Sequence, residues 1–166
     1  MVERKARGLV TIWMTIFAGM VLVILPMPQF FPAELGFLRP DWVAMILVYW
    51  TIALPHRFGI PMAWLAGIGV DILLGSLIGQ HAFSYVLIAY VAGSLYQRVR
   101  MFSVWQQAII LFALLGLNQM LGFWIDSIAG VANWSLWYFL PAVSGAFLWP
   151  SVFLILRHLR RGAGMT

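Results

Sequence analysis

Apolar residues fall into six unbroken runs, Leu9–Leu25, Trp42–Leu54, Met62–Ile78, Ala82–Tyr96, Trp105–Ile125 and Leu136–Leu156, divided by short polar or proline-bearing segments. None shows the apolar/polar alternation of a barrel strand, so each run predicts a helix. Most are long enough to cross a hydrocarbon layer of about 30 Å at about 1.5 Å per residue. The second run has only 13 residues. As a helix it reaches about 20 Å, so a re-entrant segment competes there with a span.

Basic residues choose between these alternatives. With six spans and a cytoplasmic start, Arg4, Lys5, Arg7, Arg57, Arg98, Arg100, Arg157, Arg160 and Arg161 lie inside, and only Arg39 lies outside. A re-entrant second run would leave three basic residues inside and seven outside, against the positive-inside rule. The pattern therefore predicts an all-α integral membrane protein: a single domain over residues 1–166 with six transmembrane helices, both ends cytoplasmic and short loops. Local thinning, or snorkelling of Arg39 and Arg57, would accommodate the short second helix.

Aromatic residues fit the same layout, with Trp64, Tyr96 and Trp105 at inner ends and Trp42, Trp124, Trp134 and Trp137 at outer ends. Pro26, Pro40, Pro55 and Pro61 mark helix boundaries. Arg4, Lys5 and Arg7 before an apolar run give the start of the chain a signal-peptide look. Pro26-Met27-Pro28-Gln29-Phe30 is no small-residue cleavage site, so a retained first span is expected. The outer segment Pro26–Asp41 is the only loop of any size, and no repeat is apparent.

Composition agrees with a membrane as solvent. The chain of 166 residues is 63% hydrophobic, with a mean hydropathy of +0.94 and only 9% charged residues. Soluble domains carry roughly a quarter charged residues and already run short of polar covering. The net charge of +5 resides in clusters at the ends of apolar runs, not in a stripe that could follow phosphates, so nucleic acid is not an expected partner. Cysteine is absent, which removes disulfides and thiolate metal sites.

Asp71 is the most informative residue for chemistry. A carboxylate at the centre of a span costs about 2.5–3.5 kcal/mol on insertion scales, so a neighbour should accommodate it. It could be a polar coupling or protonatable site, or a hydrogen-bonded carboxyl that fixes packing. Ala63, Gly67, Asp71, Gly75 and Gly79 recur every four residues, predicting a small-residue ridge along one helix face. Asn118, Gly122 and Asp126 share that spacing and form a candidate facing surface, with Tyr49, Tyr90 and Ser144 as other partners. His56, His81 and His158 lie at inner, outer and inner ends of different spans, where solvation is their expected role and a metal is not. There is no Gly-x-Ser-x-Gly frame, Walker loop or paired-carboxylate helix, so neither catalysis nor a cofactor is expected. The basic tail Arg157-His158-Leu159-Arg160-Arg161 holds the C-terminus inside, and could also dock a partner or anionic lipid.

Several fragments together resemble a known family. Arg39-Pro40-Asp41-Trp42-Val43, Tyr49-Trp50, Leu54-Pro55-His56-Arg57, Asp71-Ile72-Leu73-Leu74-Gly75-Ser76 followed by Gly79, Trp105-Gln106-Gln107 and Leu148-Trp149-Pro150 look like the pattern of the rod shape-determining protein MreD. The match is strongest from Arg39 to Gln107. The first span and residues 112–133 match in hydropathy only. The resemblance implies a multi-pass, non-catalytic scaffold in the bacterial inner membrane. Such a scaffold organises side-wall peptidoglycan synthesis with MreC above all, and with RodA, a class-B penicillin-binding protein and the actin-like MreB. It carries no expectation about self-association. Arg39, Asp41, His56, Arg57, Trp105, Gln106 and Gln107, with Phe30, Phe31 and Phe37 of the outer segment, become candidate partner contacts. The six-span design also resembles the substrate-binding subunits of energy-coupling-factor transporters. That makes a small-solute-binding subunit the alternative function, with Asp71, Asn118 and Gln119 as material for its site.

Overall fold

The computed structural model describes residues 2–25, 38–55, 59–131 and 135–165, with side chains from Arg7 onward except that of Leu136. Phe30, Phe31, Phe37, His56, Arg57 and Trp134 lie outside the described residues. Each predicted run holds one α-helix: α1 Val2–Ile24, α2 Trp42–Ala53, α3 Ile60–Leu74, α4 Gln80–Met101, α5 Val104–Ile128 and α6 Leu140–Gly162. A 3₁₀ turn, Leu136–Phe139, leads into α6.

The helices form a ring around a hub. In space α1 packs on α3, α3 on α4, α4 on α5, α5 on α6, and α6 back on α1, while α2 packs against α1, α4, α5 and α6. Every residue of α2 from Val43 to Ala53 is buried. An all-round apolar helix of this kind belongs inside a bundle, which is why the second run carries no polar face. Its neighbours turn apolar side chains outward: Met14, Phe17, Ile72, Ile109 and Phe147 are exposed. A surface this apolar is suited to lipid and would be a liability in water.

Three helices, over Arg7–Ile24, Val104–Ile128 and Trp137–Gly162, are long and apolar enough to cross a membrane unaided. Helices α2 and α3, with 12 and 15 residues, are shorter. The long helix α4 is more polar, bearing Gln80, His81, Ser84 and Tyr85 at its start and Arg98 and Arg100 at its end.

Helices α1, α4 and α6 run past their apolar runs into basic ends, to Val2, Met101 and Gly162, whereas α3 falls short of its run. The third run was expected to continue to Ile78, but α3 stops at Leu74. Gly75 closes it in the left-handed region (φ 63°), with Ser76 N–H reaching back to the Asp71 carbonyl at 3.1 Å. Gly79 (φ 103°) precedes α4. The predicted ridge therefore ends at Asp71, and Gly75 and Gly79 instead build the turn between two helices, in conformations that glycine adopts without steric cost. Within α3, Gly67 marks a backbone contact: a Cβ there would lie 2.3 Å from Ala82 Cα.

Candidate functional site

The antiparallel helices give the bundle two unlike rims. One gathers the ends of α1, α3 and α5 with the starts of α2, α4 and α6, and bears Asp41, Asp71 and Asp126. The other carries Arg98, Arg100, Arg157, Arg160 and Arg161, each in or near the last turn of its helix, where a cation complements the helix dipole.

Asp71, fully buried, sits one turn before the end of α3 and points across the turn at the start of α4. The Gly79 N–H donates to its Oδ2 at 2.8 Å and the His81 N–H to its Oδ1 at 2.9 Å, with the Ala82 N–H at 3.4 Å from Oδ2. The Ser76 hydroxyl donates at 2.9 Å, and His81 Nδ1 lies 2.8 Å from Oδ1. The first amides of a helix have no partner within it, and Gly79 has no side chain to offer them. Asp71 supplies those acceptors, and the positive end of α4 stabilises its charge. A carboxylate expected deep in a span is thus the cap of the next helix and is paired with a histidine. His81 was expected to be merely solvated; instead it holds this carboxylate.

Asp41 organises a second cluster. It caps α2 by accepting from the Ala44 N–H at 2.9 Å, and it takes the Tyr85 hydroxyl at 2.9 Å and the Asn118 amide at 2.9 Å. Helices α2, α4 and α5 are thereby joined at one carboxylate. The His81 and Tyr85 rings meet edge-on with centroids 5.8 Å apart, which links the two clusters. Asp126 accepts from Gln80 Nε2 at 3.0 Å. Asn118, Gly122 and Asp126 therefore face Asp41 and Gln80, not the α3 ridge that was expected. Tyr90 is exposed, and the Ser144 hydroxyl donates to the Pro141 carbonyl, so neither serves Asp71. Between the clusters is a cavity of about 360 Å³ lined by Asp41, His81, Tyr85, Asn118 and Gln119 among others. Asn118 Oδ1 and Gln119 Oε1 are buried in its wall without a partner among the described residues.

Several candidate contacts close helix ends. Arg39 donates to the Leu22 carbonyl at 2.7 Å and to that of Leu25, at the end of α1. Arg100 does the same for Ile52 and Ala53 at the end of α2. Gln107 Nε2 donates to the Val99 and Phe102 carbonyls at the end of α4 (3.2 and 3.1 Å). Ser103 and Gln106 form the capping box of α5. Trp105 is two-thirds exposed on the outside of the bundle.

A family model for rod shape-determining protein MreD matches residues 4–159, almost the whole chain. The chain belongs to the MreD family. It is 29% identical over 149 residues to the rod shape-determining protein MreD of Haemophilus influenzae, covering 90% of this chain and 92% of that one. No solved structure matches it. Three of the MreD-like fragments have a structural role at helix ends. Arg39 and Asp41 close one helix and open the next, Asp71 to Gly79 is a capped turn, and Gln106 and Gln107 secure the α4–α5 corner. Tyr85, Gln80 and His81 were missed as a group. Their signal was present: Gln80, His81, Ser84 and Tyr85 put polar groups at i, i+1, i+4 and i+5 of one helix face.

Proposed function

We propose that the chain is a non-catalytic, six-span scaffold of the rod-shape machinery. It lies in the bacterial inner membrane with the arginine rim cytoplasmic, and binds MreC through its helix faces and outer segment. The observation that carries this reading is the filled hub: α2 is buried along its length, and Arg39, Asp41, Asp71, Arg100 and Gln107 lock helix ends at the two rims. Such a bundle is built to be rigid and to present an apolar perimeter. Its connections are short, so helix faces must supply most of a standard interface of about 800 Å² per partner. Family membership supports the rod-shape role and makes MreC the first partner to test, with RodA, the class-B penicillin-binding protein and MreB as further members of the complex.

The outer segment Pro26–Asp41 adds a rim contact in this proposal, through Phe30, Phe31 and Phe37. Replacing the three with Ser should weaken co-purification of MreC and round the cells, with expression unchanged. Normal rods with undiminished MreC recovery would remove that segment from the mechanism.

A second reading has its own observation. The 360 Å³ cavity at the aspartate rim falls within the usual size of ligand pockets, roughly 300–1,000 Å³, and has two buried acceptors to offer. A small solute with hydrogen-bond donors would suit it. Most of its polar groups are already paired with one another, which favours the scaffold. A small molecule retained in equimolar amount by the purified chain would favour the transporter-like reading.

A further inference from the structure

The arginine rim holds buried polar atoms that helix capping does not use. Between the end of α2, the α4–α5 corner and α6 is a cavity of about 530 Å³. Its wall includes Tyr49, Gln107, Trp149 and Arg160, and each has a buried polar atom with no partner among the described residues: Tyr49 Oη, Gln107 Oε1, Trp149 Nε1 and Arg160 Nε. Tyr49, Trp149 and Gln107 are each more than nine-tenths buried. Leaving one such group unsatisfied costs about 1–3 kcal/mol, so four around one cavity call for an occupant.

The chemistry of the wall states what that occupant must be. Tyr49, Trp149 and Arg160 offer donors; Arg100 and Arg157 add positive charge, and no carboxylate is among its described lining residues. This set suits a phosphate oxyanion, which accepts several hydrogen bonds and pairs well with guanidinium. Gln107 Oε1 is the exception, an acceptor that suits a hydroxyl carried by the same ligand. Phe102, Val104 and Phe153 give the remaining wall an apolar character fitted to an acyl stem. We infer that the cavity binds the headgroup of an anionic phospholipid, with the phosphodiester on the Tyr49, Trp149 and Arg160 donors and a headgroup hydroxyl at Gln107. The inference rests on the six-span reading in one respect, that this rim lies at headgroup depth.

The test uses the full chain, purified in detergent and stripped of lipid, and native mass spectrometry during titration with dioleoyl phosphatidylglycerol. One molecule should bind at least about tenfold more tightly than dioleoyl phosphatidylcholine. Loss of a hydrogen bond to a charged group is a tenfold effect or more. Arg160→Gln and Trp149→Phe should therefore each weaken phosphatidylglycerol about tenfold, Trp149→Phe doing so without altering charge. Arg161→Gln, one residue along the tail and not in the cavity wall, should change it less than twofold. Equal losses for Arg160→Gln and Arg161→Gln, with no effect of Trp149→Phe, would overturn the pocket in favour of diffuse tail electrostatics. Equal binding of the two lipids would also overturn it. Glycerol 1-phosphate that displaces the lipid at equal concentration would overturn the lipid assignment and leave a soluble phosphate ester as ligand. Impermeant labelling of the loops tests the six-span reading separately. A failed titration in a chain of intact topology therefore rejects the pocket alone.

Discussion

Removing the Asp71 carboxylate should cost more than removing any other single hydrogen-bonding side chain of the aspartate rim. In Asp71→Leu the Gly79 and His81 amides, at 2.8 and 2.9 Å from its oxygens, lose their acceptor at the start of α4. Hydrogen bonds to a charged group contribute about 1.5–3 kcal/mol each, so these two alone amount to about 3–6 kcal/mol. His81 Nδ1 and the Ser76 hydroxyl lose the same partner. Asp71→Asn keeps one oxygen but turns an NH₂ group toward donors on the other side. It should lose about half, roughly 1.5–3 kcal/mol, and so be better tolerated than Asp71→Leu. The assay is equilibrium unfolding of the detergent-solubilised chain followed by tryptophan fluorescence, with Asp71→Leu and His81→Gln combined in a double-mutant cycle. A coupling of at least about 1 kcal/mol is expected for residues in one network. Stability of Asp71→Leu within about 0.5 kcal/mol of the parent, the range of ordinary surface substitutions, would refute the capping account.

The glycines of the former ridge should separate by mechanism. Gly67→Ala should prevent proper folding, because its Cβ would fall 2.3 Å from Ala82 Cα; Gly75→Ala meets no neighbour and should cost only about 1–2 kcal/mol, the left-handed penalty. Both variants are read out by the same unfolding assay, and a milder effect at Gly67 than at Gly75 would contradict the close α3–α4 contact. Tyr85→Phe removes the hydroxyl that Asp41 accepts at 2.9 Å and should destabilise by about 1.5–3 kcal/mol, measured in the same way. Single cysteines placed at positions 57 and 100 should resist impermeant maleimide in intact cells, while cysteines between positions 26 and 41 should react; labelling of 57 or 100 from outside would end the six-span proposal.

The hydropathy of the chain carried most of the fold, because a helix buried in lipid or in other helices must be apolar along its length. The second run illustrates the limit. Its shortness was legible, and a thinned bilayer or snorkelling arginines were the expected remedies. Its central place among the other helices is set by long-range packing that no local pattern records, and Arg39 is occupied at the end of α1. The third apolar run outlasts its helix for a related reason. Leu77 and Ile78 extend the apolar stretch past the point where Gly75 turns the chain, and hydropathy does not register a backbone angle. A glycine closing one helix, a second glycine opening the next and an acidic residue one turn upstream were all visible in Asp71 to Gly79. Their joint meaning depends on the turn bringing the carboxylate back over the amides of α4. The pairing of Asp41 with Tyr85 and Asn118, far apart in the chain, had no sequence signal at all.

Photo-crosslinking from the exposed apolar helix faces asks whether they meet MreC. A crosslinkable amino acid at exposed positions such as Phe17, Ile109 and Phe147, in the full chain expressed at its native level, reports what lies against those faces in the living membrane. The scaffold account predicts covalent capture of MreC from at least one of these faces, lost when a charged residue is introduced beside the crosslinker, together with loss of rod shape. Capture of lipid alone from every face, with rod shape unaffected by the charged substitutions, would contradict it.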